Sequence, residues 1–241
     1  MSALLEELSV QREIARLRQE PSLPPAPPLP VPPVWEDGSC LATFLERVQV
    51  FINSFEYNYS GIPFVPIKRM KDASHVWSVS KKLIQEALPI QCVEGVFLGT
   101  FLTAGVERLE RIPISFKTKF LRGTVHRHIV LAVRSDGGKW GAVGISRRSN
   151  LMDKRFCFDT LADLVEEYRR SYEACYHKLL TVYIGLPMPH DLVAENCVVW
   201  RAVKIRVTGR DSVAHEALKE KVNKFVRNKE SIASTHFGIQ K

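Results

Sequence analysis

The sequence predicts an α+β fold, with helices packed on an antiparallel sheet. Three observations predict it. Early stretches place apolar residues at helical spacing. Two apolar runs then flank Asp136-Gly137-Gly138, a tight-turn signal between antiparallel strands. The order along the chain is helices first, then strands, then a mixture.

The elements follow in order. Residues 2–20 carry Leu4, Leu5, Leu8, Ile14 and Leu17, a helical pattern too short to stand without a partner surface. Residues 21–33 hold eight of the chain's fourteen prolines. They predict a polyproline II segment serving as a stiff strap, or as a ligand for an SH3-type domain. Residues 39–56 form an amphipathic helix through Leu41, Phe44, Leu45, Val48, Phe51 and Ile52, with Ser39 as cap. A second helix covers 74–86. Pro89 suits a helix entry, and Cys92 to Leu102 is apolar nearly all round, which predicts a buried helix ending before Gly105.

A strand is expected over Ile114–Phe120 and a hairpin over 127–146. Centring its turn on Gly137 sets His128 opposite Ser146, to within one residue of register. The capping-box form "TLAD" opens a helix from Thr160 to Lys178. "LLTVYIG" and "NCVVWRAVKIRVTG" read as strands, and 212–228 as a helix with basic residues on its exposed side. No internal repeat is found.

Composition narrows the function. Of 241 residues, 45% are hydrophobic and 25% charged, an ordinary globular balance. No apolar run approaches the ~18 residues of a membrane span. The first twenty residues are charged throughout and lack a signal-peptide core, so a cytosolic protein is expected. The five cysteines are odd in number with no CxxC pair, which points to neither a disulfide framework nor a zinc site. Most are expected to be small buried side chains. The net charge is +8, and from Arg201 onward ten Lys or Arg face four Asp or Glu. RNA- and DNA-binding motifs are absent, so no nucleic acid is expected and an acidic protein surface is the better partner.

The chemistry centres on Cys92. A thiol opening a helix meets unpaired N–H groups and the positive end of the helix dipole, both of which favour thiolate. His128 begins the next hairpin and can serve as general base. Ser146, opposite it, can orient the imidazole through its hydroxyl or its carbonyl.

The segments "EYNYSG", "ALPIQCVEG", "ERIPISFKTKF", "RHIVLAV" and "GAVGISRRSNLM" occur in one order. In them the chain resembles the vasohibins, tubulin tyrosine carboxypeptidases with a transglutaminase-like cysteine-protease core. The resemblance runs from about residue 40 to about residue 225. It implies a catalytic domain over 39–230, preceded by a helix and proline segment over 1–38 and followed by a tail over 231–241. It also implies Cys92 as nucleophile, His128 as its histidine, and Ser146 as the third member, acting through its carbonyl. Tyr57 matches an active-site tyrosine, and Lys68, Arg127 and Arg147 match basic residues of the substrate groove. The implied substrate is the α-tubulin C-terminal tail on microtubules, in the cytoplasm and on the cytoskeleton, with no cofactor. Arg147 offers the fork for a free carboxylate.

Two features depart from the family pattern. Gln91 stands where animal members have lysine, and the Cys-to-His interval is one residue longer. Animal members also clasp a small helical activator, small vasohibin-binding protein, through an N-terminal region that only residues 11–33 match here, so the chain is expected to act with that partner or alone. Two other readings stay open: a non-catalytic basic module binding microtubules and SH3-type domains, and a related cysteine hydrolase acting on another C-terminal peptide.

Overall fold

The computed structural model describes residues 2–23, 29–67, 72–121, 123–192, 197–209 and 212–237. The helices are α1 (Ser2–Leu17), α2 (Leu41–Asn53), α3 (Ala73–Glu86), α4 (Cys92–Leu102), α5 (Leu161–Ala174) and α6 (Ser212–Phe237). The strands are β1 (Glu110–Phe120), β2 (Val125–Arg134), β3 (Trp140–Val143), β4 (Lys154–Phe158), β5 (His177–Ile184) and β6 (Val203–Arg206). They form one antiparallel sheet in the order β4-β3-β2-β1-β5-β6.

Both faces of the sheet are covered, which explains its long apolar runs. Side chains alternate along a strand. On β2, Ile129, Leu131 and Val133 join one core with residues of α2, α3 and α4. Val130 and Ala132 join a second core on the opposite face, with residues of α5 and α6. The expected α+β architecture is present, with the sheet between two helical layers.

The fit of α4 to the sheet is set by two glycines. A Cβ on Gly95 would lie 2.9 Å from Ile145 Cγ2, and one on Gly99 would lie 3.0 Å from Val143 Cγ2. Glycine in a helix costs about 1 kcal/mol relative to alanine. Here it allows the helix backbone to approach the chain leaving β3.

The hairpin has the expected register: Arg134 pairs with Trp140 and Leu131 with Val143, centred on Gly137. The ladder stops at Val143, while β2 runs on beside β1 to Val125. Among the described residues, the end of β2 that carries His128 therefore has no strand partner on the β3 side.

Other elements differ from expectation. β1 starts at Glu110, four residues before the expected Ile114 and ahead of Pro113. The Pro113 carbonyl accepts the Gly185 N–H at 2.9 Å, so the side of this residue that lacks a donor faces β5, which has already ended at Ile184. The strand β4 was not expected. α5 stops at Ala174, and Tyr176 turns the chain at φ 60°. β6 occupies four residues of the longer strand expected there. α6 continues to Phe237, beyond the expected helix end at residue 228. Part of the proline segment, 24–28, lies outside the described residues. The helix before it is tied down by Arg18, which pairs with Glu86 at 2.6 Å, and by the Gln11 amide on the Phe64 carbonyl.

Candidate active site

Cys92 is the first residue of α4, as its position after Pro89 and Gln91 predicts. The helix start is held by Glu94, whose carboxylate accepts the Gln91 N–H at 2.5 Å. Just upstream, Ile90 pairs with the Tyr57 segment: the Asn58 N–H reaches the Ile90 carbonyl at 2.8 Å and the Ile90 N–H the Glu56 carbonyl at 3.1 Å. Tyr57 is thus strapped beside the start of α4. The backbone N–H groups of Ile129, Val93 and Cys92 itself act on the thiol and favour its ionised form. Ile129 follows His128, so this contact brings the two candidate catalytic residues to one place.

The His128 ring is held on both nitrogens. Nε2 lies 3.2 Å from the Ile145 carbonyl, and Nδ1 lies 2.9 Å from the Tyr172 hydroxyl. The orienting carbonyl in this structure is therefore that of Ile145, one residue before the expected Ser146. The Ser146 hydroxyl instead accepts the Arg148 N–H at 3.4 Å. The reason is the end of β3. Past Val143 the chain no longer follows the hairpin register, and Gly144 is pinned by a side chain of α2. The Gln49 amide donates to the Gly144 carbonyl at 2.8 Å and accepts the Gly144 N–H at 3.0 Å. Its second N–H goes to Asn53 Oδ1 at 2.7 Å, so both donors of the buried amide are used and its oxygen accepts.

Of the expected substrate-binding residues, the structure unites two. The Arg147 guanidinium lies 5.5 Å from the Tyr57 ring centroid and 5.9 Å from that of Tyr59. The loop bearing both tyrosines is stiffened by buried Asn58, which donates to the Ile62 carbonyl at 2.8 Å and accepts from the Ser60 N–H and hydroxyl. Arg127 is exposed on β2, next to His128. Lys68 lies outside the described residues.

Electrostatics revise one expectation. Burial raises the Cys92 thiol above its ordinary pKa, and this outweighs the N–H groups that favour thiolate. Burial also lowers His128 to about 4, against the Ile145 carbonyl that supports its charged form. Burial thus works toward neutral thiol and neutral imidazole, against the thiolate that the helix start alone would predict.

Glu94 is 1% exposed, and burial raises its carboxyl to about 7 against the backbone N–H groups of Gln91 and Val65. Its folded pKa lies above its unfolded one. The stability it contributes is therefore present below pH 4.5 and lost as pH rises through about 7. Glu94→Gln has no such titration. The stability difference between wild type and variant should fall by about 3 kcal/mol from pH ~4.5 to ~8. Urea unfolding across that range measures it, and a flat difference would mean that the carboxylate ionises freely in the fold.

Sequence reasoning missed Ile145, Tyr172, Gln49, Asn58 and Glu94. Gln49 carried a signal: it is a polar residue at a core position of the α2 stripe. All five cysteines are unpaired; Cys40, Cys157 and Cys197 are exposed rather than buried as expected. Among the described residues, no group of three or more His, Cys, Asp or Glu could hold a metal ion, and no helix is long and apolar enough to cross a membrane.

Two comparisons bear on this arrangement. The sequence model of the family described as Vasohibin matches residues 7–230. A mouse protein, tubulinyl-Tyr carboxypeptidase 1, is 38% identical over 203 residues, which cover 83% of this chain and 53% of the mouse protein. The chain thus spans about half the length of this curated relative. A cysteine at the start of a buried helix, a histidine on the adjoining strand and a match to the family over most of the length lead to one conclusion: the chain belongs to the vasohibin family.

Proposed function

We propose that this chain is a cysteine carboxypeptidase that removes the C-terminal tyrosine of α-tubulin. One observation carries the reading: the Ile129 N–H acts on the Cys92 thiol while the neighbouring His128 is oriented by a backbone carbonyl. Family membership and the name of the mouse relative supply the substrate.

The reading implies the following steps. Cys92 Sγ attacks the carbonyl of the last peptide bond as His128 Nδ1 takes the thiol proton. The N–H groups at the start of α4, with the Tyr57 hydroxyl, stabilise the oxyanion. His128 then protonates the leaving tyrosine amine, and a thioester remains on Cys92. His128 next draws a proton from water, which hydrolyses the thioester and releases the shortened tail. Ile145, rather than Ser146, holds the imidazole during this cycle in the geometry described. Arg127 and Lys68 supply positive charge for the glutamates of the tail, and the chain's net charge of +8 suits the acidic exterior of a microtubule. Cytoplasmic, cytoskeleton-associated action follows from that substrate.

Exposed Leu8, Leu17, Leu29, Val31 and Val34 on α1 and the proline segment leave apolar surface that fits small vasohibin-binding protein as a partner. The test is incubation of the purified protein with microtubules, alone and with that partner. The reading expects loss of tail tyrosine and release of free tyrosine. No release under either condition would overturn it.

Arg147 gives a finer prediction. Its hydrogen bonds to the substrate α-carboxylate are worth about 1.5–3 kcal/mol, so Arg147→Ala should lower kcat/KM roughly 10- to 100-fold, mainly through KM. A tail peptide ending in a C-terminal amide should lose a similar factor with wild type and no more with the variant. An equal further loss in the variant would place the carboxylate elsewhere.

A further inference from the structure

The Tyr172 hydroxyl sits on the nitrogen of His128 that must receive the thiol proton. The tautomer follows from the partners. A carbonyl can only accept, so the Ile145 contact puts the ring proton on Nε2 and leaves Nδ1 as a bare acceptor. Tyr172 then donates its hydroxyl proton to Nδ1 at 2.9 Å. The phenol is 3% exposed and packs on Phe116, 5.4 Å between ring centroids. Its turn of α5 is anchored by Asn150 on the Ser171 carbonyl and by Lys154 on the Ser171 hydroxyl, at 3.2 and 2.8 Å. Among the described residues, His128 is the hydrogen-bond partner of this hydroxyl.

We infer that Tyr172 is a positioning residue for the candidate catalytic pair: its hydroxyl holds the His128 ring in the Nε2–H tautomer and favours neutral imidazole until substrate is attacked. This rests on Cys92 and His128 acting as proposed above. A hydrogen bond donated to the neutral form of a base opposes its protonation. The enzyme then rests as thiol and imidazole, and proton transfer to Nδ1 requires the tyrosine hydroxyl to turn its proton away. Burial raises the Tyr172 hydroxyl well above the ordinary phenol range, so it stays a donor.

The other ionisable groups around the pair are Glu94 of α4, Tyr57 and Arg147, Tyr168 of α5, Cys175 just after it, His126 of β2, His177 of β5 and Arg148. Among the described residues none of these forms a hydrogen bond to the His128 ring; that place belongs to Tyr172 and Ile145.

The test uses the full chain and Tyr172→Phe, which keeps the ring and removes only the donor. Alkylation of the thiol by iodoacetamide is followed against pH, with Cys92→Ala as background. In the variant, the acid limb of alkylation should move up by about half to one pH unit, and its neutral-pH rate should rise about threefold to tenfold. Tyrosine release should show kcat lower by a similar factor with KM unchanged, because Tyr172 meets the histidine rather than the substrate. Unchanged alkylation and kcat would reduce Tyr172 to a core residue. Should the variant fail to fold, nitrogen NMR of histidine-labelled wild type decides: a bare Nδ1 on His128 supports the inference, and a protonated Nδ1 overturns it. Alkylation and NMR need no tubulin. A shift in both without tyrosine release would leave this inference standing and remove the substrate reading.

Discussion

Cys92→Ala is expected to leave less than about a thousandth of the wild-type rate of tyrosine release, with the fold unchanged. Both halves of that result follow from the site. The Cys92 sulfur is the thiol that meets the Ile129, Val93 and Cys92 N–H groups. Removing it deletes the bond-forming atom while leaving His128, Ile145 and Arg147 in place. Cys92 is half-buried as a residue although its thiol is enclosed, and removing that one sulfur should change stability by about 1 kcal/mol. Tail-tyrosine blotting and thermal unfolding measure the two halves separately. A variant that unfolds normally yet still releases tyrosine would place the nucleophile elsewhere.

Gln49→Ala should reduce both stability and turnover, although Gln49 touches no substrate. The substitution leaves the Gly144 N–H and carbonyl without their side-chain partner in a buried place. Unsatisfied buried polar groups cost about 1–3 kcal/mol each, so a loss of roughly 2–4 kcal/mol is expected by urea unfolding. Gly144 precedes the residue whose carbonyl orients His128, so kcat should fall at least about tenfold under conditions where the variant stays folded. Asn53→Ala removes only the outer hydrogen bond of the same amide and should do much less. If the two variants behave alike, the Gln49 amide does not set the geometry of the turn.

These residues also show what the sequence makes legible. The buried helix from Cys92 to Leu102 was readable because Pro89 marks its entry and its composition is apolar all round. The hairpin was readable because Asp136-Gly137-Gly138 fixes a turn and the turn fixes the register. Cys92 and His128 followed from those two elements. The carbonyl that meets His128 is that of Ile145, within the one-residue margin of the expected register, since a hairpin register holds only while the ladder does, and β3 ends at Val143. Tyr172 and Gln49 were hidden for a different reason. Each acts through a contact 44 or 95 residues distant in the chain, and neither carries a local pattern that names its partner. The strand β4 escaped notice because its five residues are only partly covered and carry a charged pair at their start. Pro113 masked the start of β1, and only the place where β5 ends explains how the strand admits it.

The two helical layers have a consequence of their own. Cys92 packs with the core under α2, α3 and α4, while Tyr172 belongs to the core under α5 and α6. His128 meets them at the end of a strand shared by both. Protein regions open as separate cooperative units of unequal free energy. If either layer lifts from the sheet, the thiol or the ring that holds the histidine goes with it, while the other layer stays folded. The reactive arrangement therefore exists only in molecules where both layers are closed at once, and its population is limited by the weaker of the two.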